Sequence, residues 1–231
     1  MKTFNKLSTT LFIPFILFSC LQDSTNEAGD KALKANPKFS LSQWSFSREL
    51  KASKMNTVDF INAAAEMNFE GVEYISQFFQ DKVTDFVYLD TLKNTAQKAG
   101  ILNIRIQVGG IGYLCASDND ERNEAVELGK KWVDASKYIG CTSMRVDAHG
   151  DGTPKEMKIQ AIDGIGRLAD YANDAGIKLI VENHGSMSSN GAWLADLITH
   201  LSDKNVGTLD DFHNWCYETK SGAIWGPCAK E

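Results

Sequence analysis

A surplus of basic side chains, a long apolar run, closely spaced cysteine pairs and a glycine loop that would cradle phosphate are all missing from these 231 residues. Lys and Arg number 24 against 30 Asp and Glu, a net charge of −6, whereas gripping nucleic-acid phosphates needs a clustered basic excess. No nucleic-acid partner is expected. The apolar run at 11–18 holds eight residues, and a helix crossing a hydrocarbon core of about 30 Å needs roughly 20. A permanent transmembrane anchor is not expected there. With only 4 Pro, 18 Gly, 43% hydrophobic and 23% charged residues, collagen-like, low-complexity and disordered classes fall away and a globular domain is left. None of the five cysteines belongs to a C-x-x-C pair. Beyond Cys20, the four cysteines Cys115, Cys141, Cys216 and Cys228 allow three pairings or buried free thiols, with Cys216 and Cys228 the pair to test.

What is present begins with an export signal. Lys2 and Lys6 precede the apolar run, and the run leads into Leu17-Phe18-Ser19-Cys20, which resembles a bacterial lipobox. That resemblance implies a signal peptide at 1–19, cleavage before Cys20 and lipidation of Cys20. Plain secretion is the competing reading. The polar stretch 20–36 has no apolar periodicity and suits a tether, and the domain occupies 37–231. The expected location is the cell envelope, lipid-anchored and facing the periplasm or cell surface, where disulfides persist. Membrane contact is expected through the anchor alone.

From residue 37 onward, β-like runs start at 39, 71, 102, 143, 177 and 206, about 33 residues apart, the size of one βα unit. The stretches between them carry apolar residues at three- and four-residue intervals, as helices with one buried stripe do. Gly100, Gly140 and Gly176 stand where helix C-caps fall, Asn56, Asp118 or Asn119, and Ser189 or Asn190 where N-caps fall, and Pro154 in a first turn. Gly164-Ile165-Gly166 lies inside a helical stretch rather than at a strand-to-helix turn, so it reads as packing. Uninterrupted βα alternation means a parallel sheet covered by helices.

Reactive side chains fall at the C-terminal end of every strand: Gln43 with Trp44, Glu73, Gln107, Arg145 with Asp147, Glu182 with His184, and Asp211 with His213. In a closed barrel these ends converge on one rim, whereas a doubly wound sheet needs them only near its switch point. The expected fold is therefore α/β, a (β/α)8 TIM barrel. Eight repeats need roughly 260 residues and 39–231 supplies 193, so about six units, an incomplete barrel, are expected in this chain.

Glu182 ends the apolar strand at 177–183, where an unpaired carboxylate would cost several kcal/mol. It needs a cationic partner. One candidate is a divalent ion shared with Asp211, or Asp210, at an equivalent height on the next strand, about 4.8 Å away. The other is an ion pair with Arg145. His184 and His213 stand beside this position as ligands or as neighbours, and His149 and His200 are given no role.

The strings SLSQWSFSR, GVEYISQFF, CTSMRVDAHG, LIVENHG and VGTLDDFHNW resemble, in order and spacing, the sugar phosphate isomerase/epimerase family of xylose-isomerase-like TIM barrels, in particular its exported bacterial branch. The resemblance runs from about residue 39 to the end, and VENHG and VGTLDDFHNW are its more specific parts. It implies that Glu182 and Asp211 bind a divalent metal ion (Mn2+, Mg2+, Co2+ or Zn2+), completed by residues of strands seven and eight that this chain lacks. Family members often carry His three residues after the aspartate, where this chain has Asn214, and His213 occupies a position that is frequently Gly.

The chemistry implied is sugar isomerisation or epimerisation by proton abstraction next to a carbonyl, with Glu182 as base and a small carbohydrate as substrate. Trp44, Glu73, Arg145, His184 and His213 are candidate substrate contacts. The truncated chain is expected to be inactive alone. A 3-keto-glycoside lyase using the same ion and base is the first alternative, and a non-catalytic carbohydrate-binding lipoprotein the second. A phosphodiesterase of the endonuclease IV type would need more than four His and a basic groove, so it is set aside.

Overall fold

A computed structural model describes residues 38–218 and the pair 224–225 of the chain. The expected signal peptide and tether, with Cys20, and also Cys228, lie outside the described residues. Six parallel strands form one sheet in the order β1-β2-β3-β4-β5-β6: β1 (Ser40–Ser42), β2 (Gly71–Ile75), β3 (Leu102–Gln107), β4 (Ser143–Asp147), β5 (Lys178–Glu182) and β6 (Gly207–Leu209). The helices are α1 (Ser47–Lys51), α2 (Thr57–Glu66), α3 (Phe86–Ala99), α4 (Asn119–Ile139), α5 (Pro154–Ala175) and α6 (Gly191–His200). Two further strands, β7 (Tyr217–Glu218) and β8 (Ile224–Trp225), pair antiparallel apart from the sheet. Among the described residues no helix is long and apolar enough to cross a membrane.

Helix ends follow the chemistry of their caps. Asn56 accepts from the amides of Val58 and Asp59 at 2.8 and 3.0 Å, Asp118 caps α4, Asn190 caps α6, and Thr153 with Glu156 forms a capping box over Pro154. Gly100, Gly140 and Gly176 close α3, α4 and α5 with φ of 69°, 86° and 79°, in the left-handed region that costs glycine least.

Alternation along the strands sorts side chains to two faces. Val72, Tyr74, Ile106, Met144, Val146, Leu179 and Val181 are buried in the apolar core shared with the helices. The alternate residues Ser42, Glu73, Arg105, Gln107, Arg145, Asp147 and Glu182 occupy the other face, in layers set by the register: Gln107 beside Arg145, and Asp147 beside Glu182. A register shift between Val72 and Glu73 sets Glu73 opposite Arg105.

Two strands are shorter than their sequence runs. β1 stops at Ser42 because Gln43–Phe46 turns into a 3-10 helix, capped by the Ser42 hydroxyl. β6 stops at Leu209, and beyond it the side-chain amide of Asn183 does the pairing: Asn183 Oδ1 accepts from the Asp211 amide at 2.7 Å and its Nδ2 donates to the Asp211 carbonyl at 2.8 Å. The register sets Leu209, not Asp211, opposite Glu182. Asp211 therefore stands two residues further along than Glu182, which corrects the expectation of equal heights.

Candidate active site

The strand ends open into one cavity of about 520 Å³, with Trp44, Glu73, Arg145, Glu182, His184 and Asp211 all in its lining. Of the two aspartates after β6, Asp211 lines the cavity and Asp210 is exposed. Asn183 holds the backbone of Asp211 beside the cavity.

Arg145 is the hub. Its Nη2 and Nη1 donate to the two oxygens of Asp147 at 2.8 and 3.1 Å, and its Nε contacts Glu182 Oε2. The ion pair between Glu182 and Arg145 is thus present, and the guanidinium that was expected to meet sugar hydroxyls already serves two carboxylates. Glu182 Oε1 accepts from Asn214 Nδ2 at 3.4 Å. Asp147 Oδ1 also meets His184 Nδ1 at 3.0 Å. Burial acts to raise the pKa of Asp147, but the His184 hydrogen bond and the charge of Arg145 outweigh it and hold the group below its ordinary value. The same bond to Asp147 raises His184, against the opposing effect of burial.

Across the cavity, Glu73 is held by Ser40 Oγ at 2.5 Å, Gln107 Nε2 at 3.1 Å and Arg105 Nη2 at 3.3 Å. Trp44 is 51% exposed and carries the Lys51 ammonium 4.5 Å from its ring centroid, so one ring face is already covered.

Two expected site residues lie elsewhere. Gln43 is fully buried, donating to Thr57 Oγ1 at 3.0 Å and accepting from the Ile75 amide at 2.8 Å, so it ties β1 to β2 rather than facing the rim. His213 is exposed outside the cavity lining, with its backbone amide on Asp211 Oδ1 at 2.8 Å, because the turn that follows β6 aims Asn214 inward instead.

One residue given no role touches a residue of the cavity lining. His149 Nε2 donates to the His184 carbonyl at 2.7 Å, its ring stacks on that of His184 with centroids 6.0 Å apart, and Asp147, His149 and His184 each offer a donor atom within 4.8 Å of the others. A signal existed. Asp147-Ala148-His149, Glu182-Asn183-His184 and Asp211-Phe212-His213 are the same acid-x-His pattern at three successive strand ends.

The donor set suits a divalent cation. Asp147, Glu182 and Asp211 set three carboxylates against the single guanidinium of Arg145, and among the described residues no salt bridge reaches Asp211. The excess of two negative charges is what one divalent ion would balance, and carboxylate and imidazole donors suit Mg2+, Mn2+, Co2+ or Zn2+.

Six parallel strands alternating with helices, their C-terminal ends gathered at one mouth, define a class, the TIM barrels. The chain belongs to the xylose isomerase-like TIM barrel family, whose pattern matches residues 61–226. No curated protein matches it. Similar solved structures include a 3-keto-D-glucoside 4-epimerase from E. coli (16% identity, 68% of this chain and 64% of that chain, TM-score 0.59). A D-psicose 3-epimerase solved with D-fructose is also similar (17%, 76% and 63%, 0.60). So is a probable 3-DHS dehydratase from Bacillus anthracis (16%, 77% and 64%, 0.61). At these identities the likeness is one of fold. The chain spans less than two thirds of the length of each.

Proposed function

We propose that this barrel serves a metal-dependent sugar isomerase or epimerase that moves a proton on the carbon next to a carbonyl. The observation that carries the reading is the cavity at the strand ends, in which Asp147, Glu182 and Asp211 face the one guanidinium of Arg145 and leave an excess of two negative charges. A divalent ion held by Glu182 and Asp211 would polarise the substrate carbonyl and stabilise the negative charge that develops on its oxygen.

This chain's residues do the rest. Arg145 holds Glu182 through Oε2 and leaves Oε1, beside Asn214 Nδ2 at 3.4 Å, to accept the substrate proton. As the C–H bond breaks, its electron pair moves toward the carbonyl. Reprotonation on the opposite face gives the epimer, and reprotonation at the former carbonyl carbon gives the aldose-ketose isomer. Trp44 walls the sugar ring on its uncovered face, and Glu73 and His184 accept or donate to its hydroxyls. The names of the two epimerases support a keto-sugar substrate; the name of the dehydratase supports an elimination, and the second reading is a lyase acting on a 3-keto-glycoside. Export and anchoring through Cys20 are part of the proposal and set the reaction in the cell envelope.

Kinetics with keto-hexoses and 3-keto-glucosides test it, in a protein whose barrel carries the expected strands seven and eight as well. Activity should vanish on chelation and return with Mn2+ or Co2+. Glu182→Gln should lower turnover about 100-fold or more, while Asp211→Asn should act chiefly through metal affinity and recover in excess metal. Eliminated product with no epimer would favour the lyase. Sugar binding with neither product nor metal dependence would favour the binding protein.

A further inference from the structure

We propose that Asp147, His149 and His184 form a second divalent-metal site, distinct from the Glu182 and Asp211 position and suited to a borderline ion such as Zn2+ or Co2+. Two imidazoles and a carboxylate are the donor set such ions prefer.

The spacing fits. Neighbouring ligands on an ion with bonds of about 2.1 Å stand about 3.0 Å apart in octahedral and about 3.4 Å apart in tetrahedral geometry. Asp147 Oδ1 and His184 Nδ1 are 3.0 Å apart, so an ion replaces the proton they share. The third donor, on the partly buried His149, lies within 4.8 Å of the other two.

The surroundings fit as well. A metal-bound histidine commonly donates its other ring N–H to a carbonyl, which fixes the tautomer. His149 Nε2 donates to the His184 carbonyl at 2.7 Å, leaving Nδ1 for the ion. Arg145 fixes the Asp147 carboxylate with two bonds, and the His184 amide donates to Ser188 Oγ at 3.0 Å.

The loop bearing His149 is held in advance. The Cys115 amide donates to the His149 carbonyl at 3.0 Å, and Ser117 donates to Asp151 through its amide at 2.8 Å and its hydroxyl at 2.5 Å. Gly150 lies so close to Cys115 that a Cβ there would stand 1.9 Å from the Cys115 carbonyl oxygen. A second recess of about 110 Å³, lined by Asp147, His149 and residues 108–114, leaves room for water or a small ligand to complete the coordination.

The experiment uses the full chain, stripped of metal with chelator and titrated with Co2+ by visible absorption and with Zn2+ by calorimetry. His149→Ala and His184→Ala should each lower affinity about 10-fold or more, while the Glu182→Gln, Asp211→Asn double variant keeps the site. Assigned histidine ring resonances of the unmutated chain give a readout that no folding defect confuses: Zn2+ should shift His149 and His184 and leave His200 in place. Retained Zn2+ affinity in His149→Ala, or ring resonances of His149 and His184 that Zn2+ does not move, overturns the site. Metal uptake lost only in the Glu182 and Asp211 double variant also overturns it, and leaves the proposed function standing.

Discussion

Replacing Arg145 with Met removes the cation that two buried carboxylates share while keeping much of the side-chain volume. The side chains of Arg145, Asp147 and Glu182 are 7%, 17% and 8% exposed, so water does little to screen what is left behind. Breaking a buried pair by deleting one partner costs about 3–5 kcal/mol. For a chain of this length each kcal/mol shifts Tm by about 2–4 °C, so a fall of roughly 6–20 °C at pH 7 is expected by circular dichroism. The loss should depend on pH in a defined direction. Asp147 is held below its ordinary value, so the stability it contributes is present above that value and disappears as the pH falls through the lowered one. Arg145→Met gives up part of that lowering, and its deficit should narrow as the pH falls below about 4, through the lowered value. Saturating Mn2+ should restore part of the difference at pH 7, since a divalent ion answers the same charge excess. A loss under about 1 kcal/mol, or one equally large at every pH, would show that Arg145 acts through packing and refute the charge argument.

Three further outcomes follow from other parts of the chain. Burial pushes the Cys115 thiol up to about 12, and Cys141, raised by the same desolvation, is buried with it, so at pH 8 both should be alkylated at least about 100-fold more slowly than an exposed thiol, as read by peptide mass spectrometry with and without denaturant. A Cβ at Gly164 would stand 2.0 Å from the Leu114 carbonyl oxygen, so Gly164→Ala should destabilise by about 1–3 kcal/mol or more in a denaturant melt, although alanine is the better helix former. Cys20→Ala should release the chain from the membrane fraction and end its labelling by a fatty-acid probe in a bacterial host; unchanged fractionation would remove the anchor from the account.

The sequence made the βα order legible because strand runs, cap glycines and the period of about 33 residues all agreed, and each of the six strands appears where its run stands. Cys216 is disulfide-bonded, while Cys115 and Cys141 are buried free thiols. The sequence put Glu182 and Asp211 after neighbouring strands, and both side chains line the cavity. Harder to read was what happens one or two residues past a strand, where pairing passes from backbone to side chains. Asn183 clamps Asp211 two residues beyond the partner of Glu182, and the turn that follows presents Asn214 rather than His213. Gln43 was misplaced for a similar reason, since a 3-10 turn, not a continuing strand, buries it. His149 sits in a loop rich in Gly and Asp that suggested a solvated turn; the bridge from Cys115 to Gly150 that holds it joins residues 35 apart.

The central claim is that Glu182 takes a proton from the carbon beside a sugar carbonyl, and hydrogen exchange measures that step alone, without the acid that returns the proton on the other face. The chain is incubated with Mn2+ and a keto-hexose or 3-keto-glucoside in D2O, and deuterium at the adjacent carbon is followed by NMR. Stereospecific incorporation at one carbon, absent after chelation and in Glu182→Gln, is the predicted result. Incorporation that proceeds equally in Glu182→Gln or without metal would contradict the account.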